Sequence, residues 1–237
     1  MSAVANSLPD TGSRLQNGVQ RVVLRSMSES KPGRRERYAA LTRSAIVEAA
    51  RMLFVERGFD DTSVDDIAEV AQVSKGAIYH HFKDKQEIFV DVYRDATKGV
   101  IENVVKVLID VPAGSWNRIE AAASAVIKGY TDNREPRVLV RQVMGVLGAE
   151  RTQALEGELA LPLIRTLLTE AEENGELRDL SIEKASQLIF RVLCESSLLI
   201  ANSADYAEAA QEVETVMLCM FAGLRKPPAA TRARRKG

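Results

Sequence analysis

The residues best suited to chemistry lie in and around one short stretch, residues 73–85, which reads VSKGAIYHHFKDK. The stretch combines hydroxyl, ammonium and imidazole groups, which can donate hydrogen bonds to phosphate oxygens and to the edges of bases. Gly76 and Ala77 lie between these donors and are small enough to allow a close approach to another surface. The candidate contacts to a nucleic acid are Arg43, Thr62, Ser63, Ser74, Lys75, Gly76, Ala77, Tyr79, His80, His81 and Lys85.

Helical periodicity predicts the elements that position this stretch. Apolar residues recur at steps of three and four along most of the chain, and no alternating strand pattern appears, so the predicted fold class is all-α. Pro162 is expected to kink or split the helix that contains it. The predicted helices are 37–57, 64–71, 75–82, one from the Asp84 cap to about 109, 116–131, 136–147, 150–174, 182–202 and 206–224.

Two short helices and a sharp turn form a predicted helix-turn-helix at about residues 63–82. Ser63 and Ser74 are predicted N-caps of the two helices, and Val73 and Ile78 are predicted to anchor the second helix to the core. The N-terminal end of such a second helix enters the major groove of DNA, which is about 12 Å wide. The sequence therefore predicts an N-terminal three-helix DNA-binding domain.

Charge is unevenly distributed along the 237 residues, although the formal net charge is only −1. Residues 99–224 contain 11 basic and 19 acidic residues, whereas residues 225–237 contain six basic residues and no acidic ones. Both ends lack helical periodicity, so residues 1–36 are predicted to be a disordered extension and residues 225–237 a basic disordered tail. We expect residues 1–26 to be dispensable or to precede the natural start at Met27.

The composition also indicates where in the cell the protein is located. No apolar run approaches the roughly 18 residues that a membrane span requires, and the N-terminus lacks a secretory signal, so a cytoplasmic protein without a membrane partner is expected. Cys194 and Cys219 lie in apolar helical patterns and are expected to be core residues in a reducing compartment.

No catalytic residue, metal site or cofactor is predicted. His80 and His81 are the two histidines of the chain, and neighbouring helical residues point about 100° apart, which does not suit a shared metal ion. The acidic residues with a spacing that could suggest catalysis are expected to be solvated parts of charged helix faces; they are Glu156, Glu158, Glu172 and Glu173.

Residues 40–100 resemble the TetR family of bacterial transcriptional regulators, and the rest of the chain resembles that family in its helix pattern. Gln72 departs from the pattern, because the family usually has glycine there, and we expect Gln72 to adopt a left-handed backbone at a cost of about 1 kcal/mol. The resemblance is carried by the ordered set Phe54, Gly58, Thr62, Ile67, Ala68, Val73, Tyr79, His81, Phe82 and Lys85.

The resemblance implies a two-domain homodimer that binds a pseudopalindromic double-stranded DNA operator and represses transcription until a small-molecule effector binds. The DNA-binding domain would span residues 37–98, and a helical ligand-binding and dimerisation domain would span residues 99–224. An activator, a regulator without a ligand, and an all-helical small-molecule-binding or interaction protein that has lost DNA contact are the alternatives.

Two further sets of residues follow from the same reasoning. The effector is expected to be apolar or amphipathic, since the chain has few aromatic residues and no concentrated charge pair. The candidate ligand-binding residues are Trp116, Tyr130, Arg141, Met144, Phe190, Cys194 and Glu195. The last two helices are apolar enough to form a four-helix dimer interface, for which the candidates are Leu188, Val192, Leu199, Val213, Met217, Met220 and Phe221.

Overall fold

The computed structural model describes residues 33–114 and 116–227 of the chain. The chain divides into two compact units, Met1–Thr42 and Arg43–Gly237. In the first unit, the described residues 33–42 form the first turns of a helix on which Tyr38 is exposed. The expectations for residues 1–32 and 228–237, including a natural start at Met27, lie outside the described residues.

Helices account for most of the described residues, and the all-α prediction is confirmed. Among the described residues, β pairing is limited to an isolated antiparallel bridge between Leu177 and Arg225. The helices are α1 (Arg34–Glu56), α2 (Val64–Val70), α3 (Lys75–His81), α4 (Lys85–Ile109), α5 (Trp116–Asp132), α6 (Arg134–Glu173), α7 (Ile182–Asn202) and α8 (Tyr206–Ala222).

An apolar core holds α1, α2 and α3 against the N-terminal half of α4. The rings of Phe54, Phe59 and Phe89 form its centre, with centroids 5.4–5.5 Å apart. Ile67 of α2 and Ile78 of α3 are buried in the same cluster. The five residues predicted to be the buried face of α1 are all buried, namely Ile46, Ala49, Ala50, Leu53 and Phe54.

Side-chain caps fix where the two short helices begin. The Ser63 hydroxyl accepts a hydrogen bond from the Asp66 N–H (3.1 Å), and the Asp66 carboxylate accepts one from the Ser63 N–H (2.8 Å), which completes a capping box. Ser74 caps α3 by accepting a hydrogen bond from the Ala77 N–H (3.1 Å). Both predicted N-caps are therefore confirmed, and each satisfies a backbone donor that its helix leaves unpaired.

The turn between α2 and α3 depends on one residue with a left-handed backbone. Gln72 has a φ of 55°, which confirms the left-handed backbone expected there. The turn is closed by a hydrogen bond from the Val73 N–H to the Ala68 carbonyl (3.0 Å). Because this bond and the burial of Ile78 hold α3, the conformational cost at Gln72 is offset by the surrounding structure.

Helix α6 is broken at Gly148, where φ is 75° and ψ is 167°. This break confirms the stop that was predicted at Gly148. Pro162 was predicted to kink or split its helix; the helix continues through Pro162 without a non-helical residue there, so the split is wrong and the kink stays a prediction. Proline removes one backbone donor, but Ile164 and Leu167 in the next turn are buried in the core and keep the helix in place.

Helices α5–α8 pack with the C-terminal half of α4 around a second apolar core. Gly129 brings α5 close to α4, since a Cβ at this position would lie only 2.9 Å from Val100 Cγ1. Among the described residues, no helix is long and apolar enough to cross a membrane.

Both predicted end boundaries need correction. Helix α1 begins at Arg34 rather than at residue 37, so the predicted disordered extension includes three helical residues. At the other end, the Lys226 N–H donates to the Glu176 carbonyl (2.6 Å), and the Arg225 guanidinium bonds to the Glu176 carboxylate (2.8 Å). The predicted disordered tail therefore does not include Arg225 and Lys226.

Candidate DNA-binding surface and ligand pocket

The N-terminal end of α3 lies bare at the surface of the protein. Ile78 is only 1 % exposed and anchors the helix, while Lys75 and Gly76 are exposed and Ala77 is half-buried. A Cβ at Gly76 would have the Ser74 hydroxyl, 3.8 Å away, as its nearest neighbour. Ser74, Tyr79 and His80 are also exposed. These positions leave a narrow helical tip with small residues, which is the shape that a major groove admits.

Lys75 already has an acidic partner in the free protein. Its ammonium bonds to the Asp65 carboxylate at 2.8 Å, and both side chains are largely exposed. The hydrogen bond that Lys75 donates to Asp65 raises the pKa of Lys75, so the ammonium keeps its charge. A phosphate or a guanine would have to compete with Asp65 for this cation, which makes Asp65 a determinant of how Lys75 is presented.

Thr62 and Lys85 both bond within the fold. The Lys85 ammonium donates to the carbonyls of Phe59 (2.6 Å) and Thr62 (2.8 Å) and lies 4.1 Å from the centre of the Phe59 ring. These two bonds use two of its three N–H donors, so its contact with phosphate stays a prediction. Thr62 is buried, and its hydroxyl donates to the Gly58 carbonyl (2.7 Å), which corrects the prediction of Thr62 as a surface contact.

Arg43 connects three elements of the same region. Its guanidinium donates to the His81 carbonyl (3.0 Å), forms an ion pair with Asp91 and lies 4.1 Å from the centre of the Phe82 ring. Arg43 thus fixes the C-terminal end of α3 against α1 and α4. Burial, followed by the neighbouring His80 and Arg43, lowers the pKa of His81, so His81 is a neutral hydrogen-bonding group rather than a cation at neutral pH.

A largely apolar pocket lies among α4, α5, α6, α7 and α8. Its cavity volume is about 90 Å³. Tyr130, Phe190 and Cys194 line it, as expected for three of the candidate ligand-binding residues. The remaining candidates do not line this cavity: Trp116 is buried in the core at the start of α5, and Arg141, Met144 and Glu195 are exposed on the surface.

The polar group of the pocket is a buried carboxylate that was expected to be solvated. Glu156 is only 8 % exposed. Its Oε1 accepts a hydrogen bond from the Tyr93 hydroxyl, and its Oε2 accepts one from the Cys194 thiol at 3.2 Å. Burial raises the pKa of Tyr93, Tyr130 and Cys194, and the charge of Glu156 raises all three further. The other acidic residues in that prediction, Glu158, Glu172 and Glu173, are exposed as expected.

Helix α6 connects the pocket to the DNA-binding surface. On the N-terminal side of Gly148, the Gln142 amide accepts a hydrogen bond from the Phe59 N–H (2.7 Å) and donates one to the Phe54 carbonyl (3.1 Å). On the other side, α6 carries Arg151, which bonds to Glu87 at 2.5 Å, and then Glu156. One helix therefore contacts the loop before α2 and lines the pocket.

Comparison with known proteins identifies the family. Residues 46–92 match the family model described as bacterial regulatory proteins of the tetR family, and residues 116–224 match the tetracyclin repressor-like C-terminal domain. The HTH-type transcriptional repressor BepR of Brucella suis biovar 1 is 30% identical over 164 residues, which cover 65% of this chain and 78% of BepR. The chain belongs to the TetR family of bacterial transcriptional regulators.

Solved TetR-family structures share the fold. A TetR-family transcriptional regulator from Pectobacterium atrosepticum has a TM-score of 0.72 at 23% identity, with 84% of this chain and 100% of that chain covered. RolR in complex with resorcinol has a TM-score of 0.62 at 21% identity, with 78% and 89% covered. As a TetR-family member, the chain is a DNA-binding regulator of transcription with an N-terminal helix-turn-helix domain and a C-terminal helical domain.

The candidate dimer residues of this TetR-family chain divide into two groups. Leu188, Leu199 and Met220 are exposed, and Val192 and Val213 are half-buried. Met217 and Phe221, by contrast, are only 1 % and 3 % exposed and belong to the chain's own core. Their prediction as interface residues is wrong, because they lie on the face of α8 that packs inward.

Cys219 is also exposed, so the prediction that both cysteines are core residues is wrong for this one. Sequence reasoning further missed Tyr93, Gln142 and the burial of Glu156. For Glu156 a signal existed, since Ala160 and Ile164 follow it at steps of four and place it in an apolar row of α6.

Proposed function

We propose that this TetR-family chain is a repressor that binds a pseudopalindromic operator as a homodimer and is released by a small-molecule effector. The observation that carries the proposal is the exposed tip of α3, where Lys75, Gly76 and Ala77 lie outside a helix that Ile78 anchors. The direction of regulation is supported by the relative BepR, which is named a transcriptional repressor. A regulator of this kind acts on DNA in the cytoplasm and has no catalytic role.

The proposed roles of the residues in the DNA-binding domain follow from their exposure and from the hydrogen bonds that they make. Residues 37–98 would form the DNA-binding domain, in which the exposed polar groups of α2 and α3 contact DNA and less exposed polar groups set the geometry. Arg43, Thr62 and Lys85 belong to the second group, because each is half-buried or buried and bonds to carbonyls of other parts of the chain. The proposed DNA contacts are Ser63, Ser74, Lys75, Gly76, Ala77, Tyr79, His80 and, as a neutral donor, His81.

Dimerisation is proposed through the outer faces of α7 and α8, within the helical domain of residues 99–224. Leu188 is 68 % exposed and Leu199 is 54 % exposed, and exposed apolar side chains of this size on neighbouring helices favour association. On α8, Val216 and Met220 are exposed in the same way. In such a dimer, the α3 tips of the two protomers would be related by a twofold axis, which suits the two half-sites of a pseudopalindromic operator.

The effector site is proposed to be the pocket that Tyr130, Phe190 and Glu156 line. Apolar cavities with a few polar groups are the usual form of small-molecule sites. The structural relative RolR contains resorcinol in its complex, which supports a small-molecule site in a chain of this fold. Helix α6 would transmit the occupancy of the pocket to the DNA-binding surface through Gln142.

Fluorescence anisotropy with labelled DNA from the region upstream of the protein's own gene tests the proposal. We expect binding that weakens steeply with salt, because basic groups displace counterions from phosphates. Lys75→Ala should weaken specific binding by about 1–3 kcal/mol, whereas Lys106→Ala on α4 serves as a matched control. Binding that shows no salt dependence and no preference for the upstream region over random DNA would contradict the proposal.

The dimer is tested separately by light scattering coupled to gel filtration. The double substitution Leu199→Glu and Met220→Glu places charges on the exposed apolar faces of α7 and α8, and we expect it to convert a dimer to a monomer. Operator affinity should fall with it, since half-sites would then be bound one at a time. A dimer that survives both charges would contradict the proposed interface.

A further inference from the structure

Among the described residues that line the pocket between α4 and α8, Glu156 is the one with a charged side chain. Apart from Thr97, Tyr130, Cys194 and Ser197, the lining of the pocket is aliphatic or aromatic except for Glu156. A carboxylate at this depth is costly, because burial removes its hydration. A carboxylate at the wall of a cavity therefore needs partners that compensate for its lost hydration.

The neighbours of Glu156 act as donors. The Tyr93 hydroxyl donates to one carboxylate oxygen and the Cys194 thiol to the other. Since burial raises the pKa of both groups, they keep their protons at neutral pH. Both oxygens of Glu156 therefore act as acceptors, which is the pattern of an ionised carboxylate.

No cation of the described residues forms an ion pair with Glu156. Among residues 33–114 and 116–227, the ion pairs within 4.0 Å do not include Glu156. Arg94 pairs instead with Asp91 and with Glu158, which is exposed on α6. Arg191 is exposed on α7, and its charge partly offsets the rise in the pKa of the Cys194 thiol beside Glu156. Buried carboxylates are usually paired with a cation as well as hydrogen-bonded, and here the space beside the carboxylate is the cavity.

We propose that the effector is a small apolar amine, whose ammonium group pairs with Glu156 while its apolar body fills the cavity. This inference rests on the proposed function of the pocket as the effector site. Tyr130 and Phe190 line the same cavity, and aromatic rings of this kind attract cations. A neutral effector of equal shape gains less from the carboxylate, and an anionic one is repelled by it.

The cavity volume restricts the size of the amine. At about 90 Å³, the space is of the order of an engineered cavity of roughly 150 Å³ that takes up benzene. An amine built on a single ring is therefore the appropriate size class.

Calorimetric titration of the full chain with three matched compounds tests the inference. Benzylamine, benzyl alcohol and benzoate share one ring and differ in charge. We expect benzylamine to bind at least about tenfold more tightly than benzyl alcohol and benzoate to show no binding. In Glu156→Gln, the affinity for benzylamine should fall to that for benzyl alcohol, and the affinity for the alcohol should stay within about twofold.

Glu158→Gln is the matched control, since Glu158 is exposed on the same helix and its loss should leave the preference for the amine unchanged. If Glu156→Gln does not fold, as judged by circular dichroism, the comparison of amine with alcohol in the unsubstituted chain decides. Equal affinities for the two, no benzylamine binding at about 10 mM, or an equal loss in Glu158→Gln would overturn the inference.

Operator binding by the same preparations separates the two proposals. A chain that binds operator DNA but shows no preference for the amine retains its function as a regulator and loses this effector class. A chain that prefers the amine through Glu156 but binds no operator retains the ligand site and loses the proposed regulation. Release of operator DNA by benzylamine, absent in Glu156→Gln, would support both.

Discussion

The DNA-binding region and the effector pocket use hydrogen-bonded polar side chains in opposite ways. Around α2 and α3, the cations of Arg43 and Lys85 end on backbone carbonyls, and the amide of Gln142 does the same. In the pocket, the carboxylate of Glu156 has two neutral donors on one side and a cavity on the other. The cations and the amide of the DNA-binding region bond to the chain itself and fix the angles between helices. The carboxylate of Glu156, in contrast, leaves room for a ligand in the cavity.

The largest expected effect concerns the tip of α3. Gly76→Glu should reduce operator affinity by about a hundredfold or more, roughly 2.7 kcal/mol, because a bulky anion would occupy the space for the DNA. Thermal stability should change little, since a Cβ at Gly76 would meet only the Ser74 hydroxyl, at an ordinary contact distance of 3.8 Å. Anisotropy and thermal denaturation measure the two effects.

Gly145→Glu is the control for this substitution, because Gly145 is exposed on α6 with no atom within 4 Å of an added Cβ. Operator binding should survive there. Equal losses in both variants would mean that added charge, rather than the α3 tip, governs binding.

Substitution of Lys85 tests whether the bonded cations of the DNA-binding region stabilise the fold. Lys85→Met should lower the free energy of unfolding by about 1–3 kcal/mol, since the Phe59 and Thr62 carbonyls would lose their donor. Urea denaturation measures this change, and Lys83→Met at a neighbouring exposed position should stay within about 0.5 kcal/mol. Unchanged stability together with uniformly weaker DNA binding would instead assign Lys85 to phosphate contact.

Packing around the pocket is tested by a pair of glycine substitutions. Gly129→Ala should lower the free energy of unfolding by about 1–3 kcal/mol, because the added methyl group would lie 2.9 Å from Val100 Cγ1. Gly99→Ala on α4 meets open space and should be neutral or stabilising by about 0.5–1 kcal/mol. Differential scanning calorimetry of both variants checks the contrast, which similar melting temperatures would contradict.

The smallest expected effect concerns the ion pair on the DNA-binding surface. Asp65→Asn should raise operator affinity by about two- to threefold, because Lys75 would no longer be held by a carboxylate at 2.8 Å. Asp61→Asn, at another exposed acidic position, controls for the general loss of negative charge. An equal gain in both variants would show that Asp65 has no particular hold on Lys75.

The DNA-binding region could be predicted from sequence because its signals are local. Caps such as Ser63 and Ser74 lie within three residues of the donors they satisfy. The conformation of Gln72 was expected from the resemblance to a family that usually has glycine there. The contacts of Lys85 were not predicted, because they join residues that are distant in the sequence. Lys85 reaches Phe59 and Thr62 across more than 20 positions of the chain, and such distances leave no local pattern.

The pocket was less predictable for the same reason. Tyr93, Glu156 and Cys194 come from three helices and meet only in the folded chain. The apolar pattern of α8 predicted that Met217 and Phe221 are hidden but did not distinguish the core from a partner surface, since both require apolar side chains. Arg141, Met144 and Glu195 were assigned by type alone, and their exposure removes them from the cavity.

The different surroundings of the two cysteines have a practical consequence. The chain contains two cysteines, and the Cys194 thiol is largely buried beside Glu156, with its pKa raised by both. Thiolate is the reactive form, so a maleimide dye at neutral pH should attach to the exposed Cys219 alone. The natural sequence thus provides a single labelling position on α8, next to Met220, and the rate of labelling would report whether the proposed dimer face is covered, without any engineered residue.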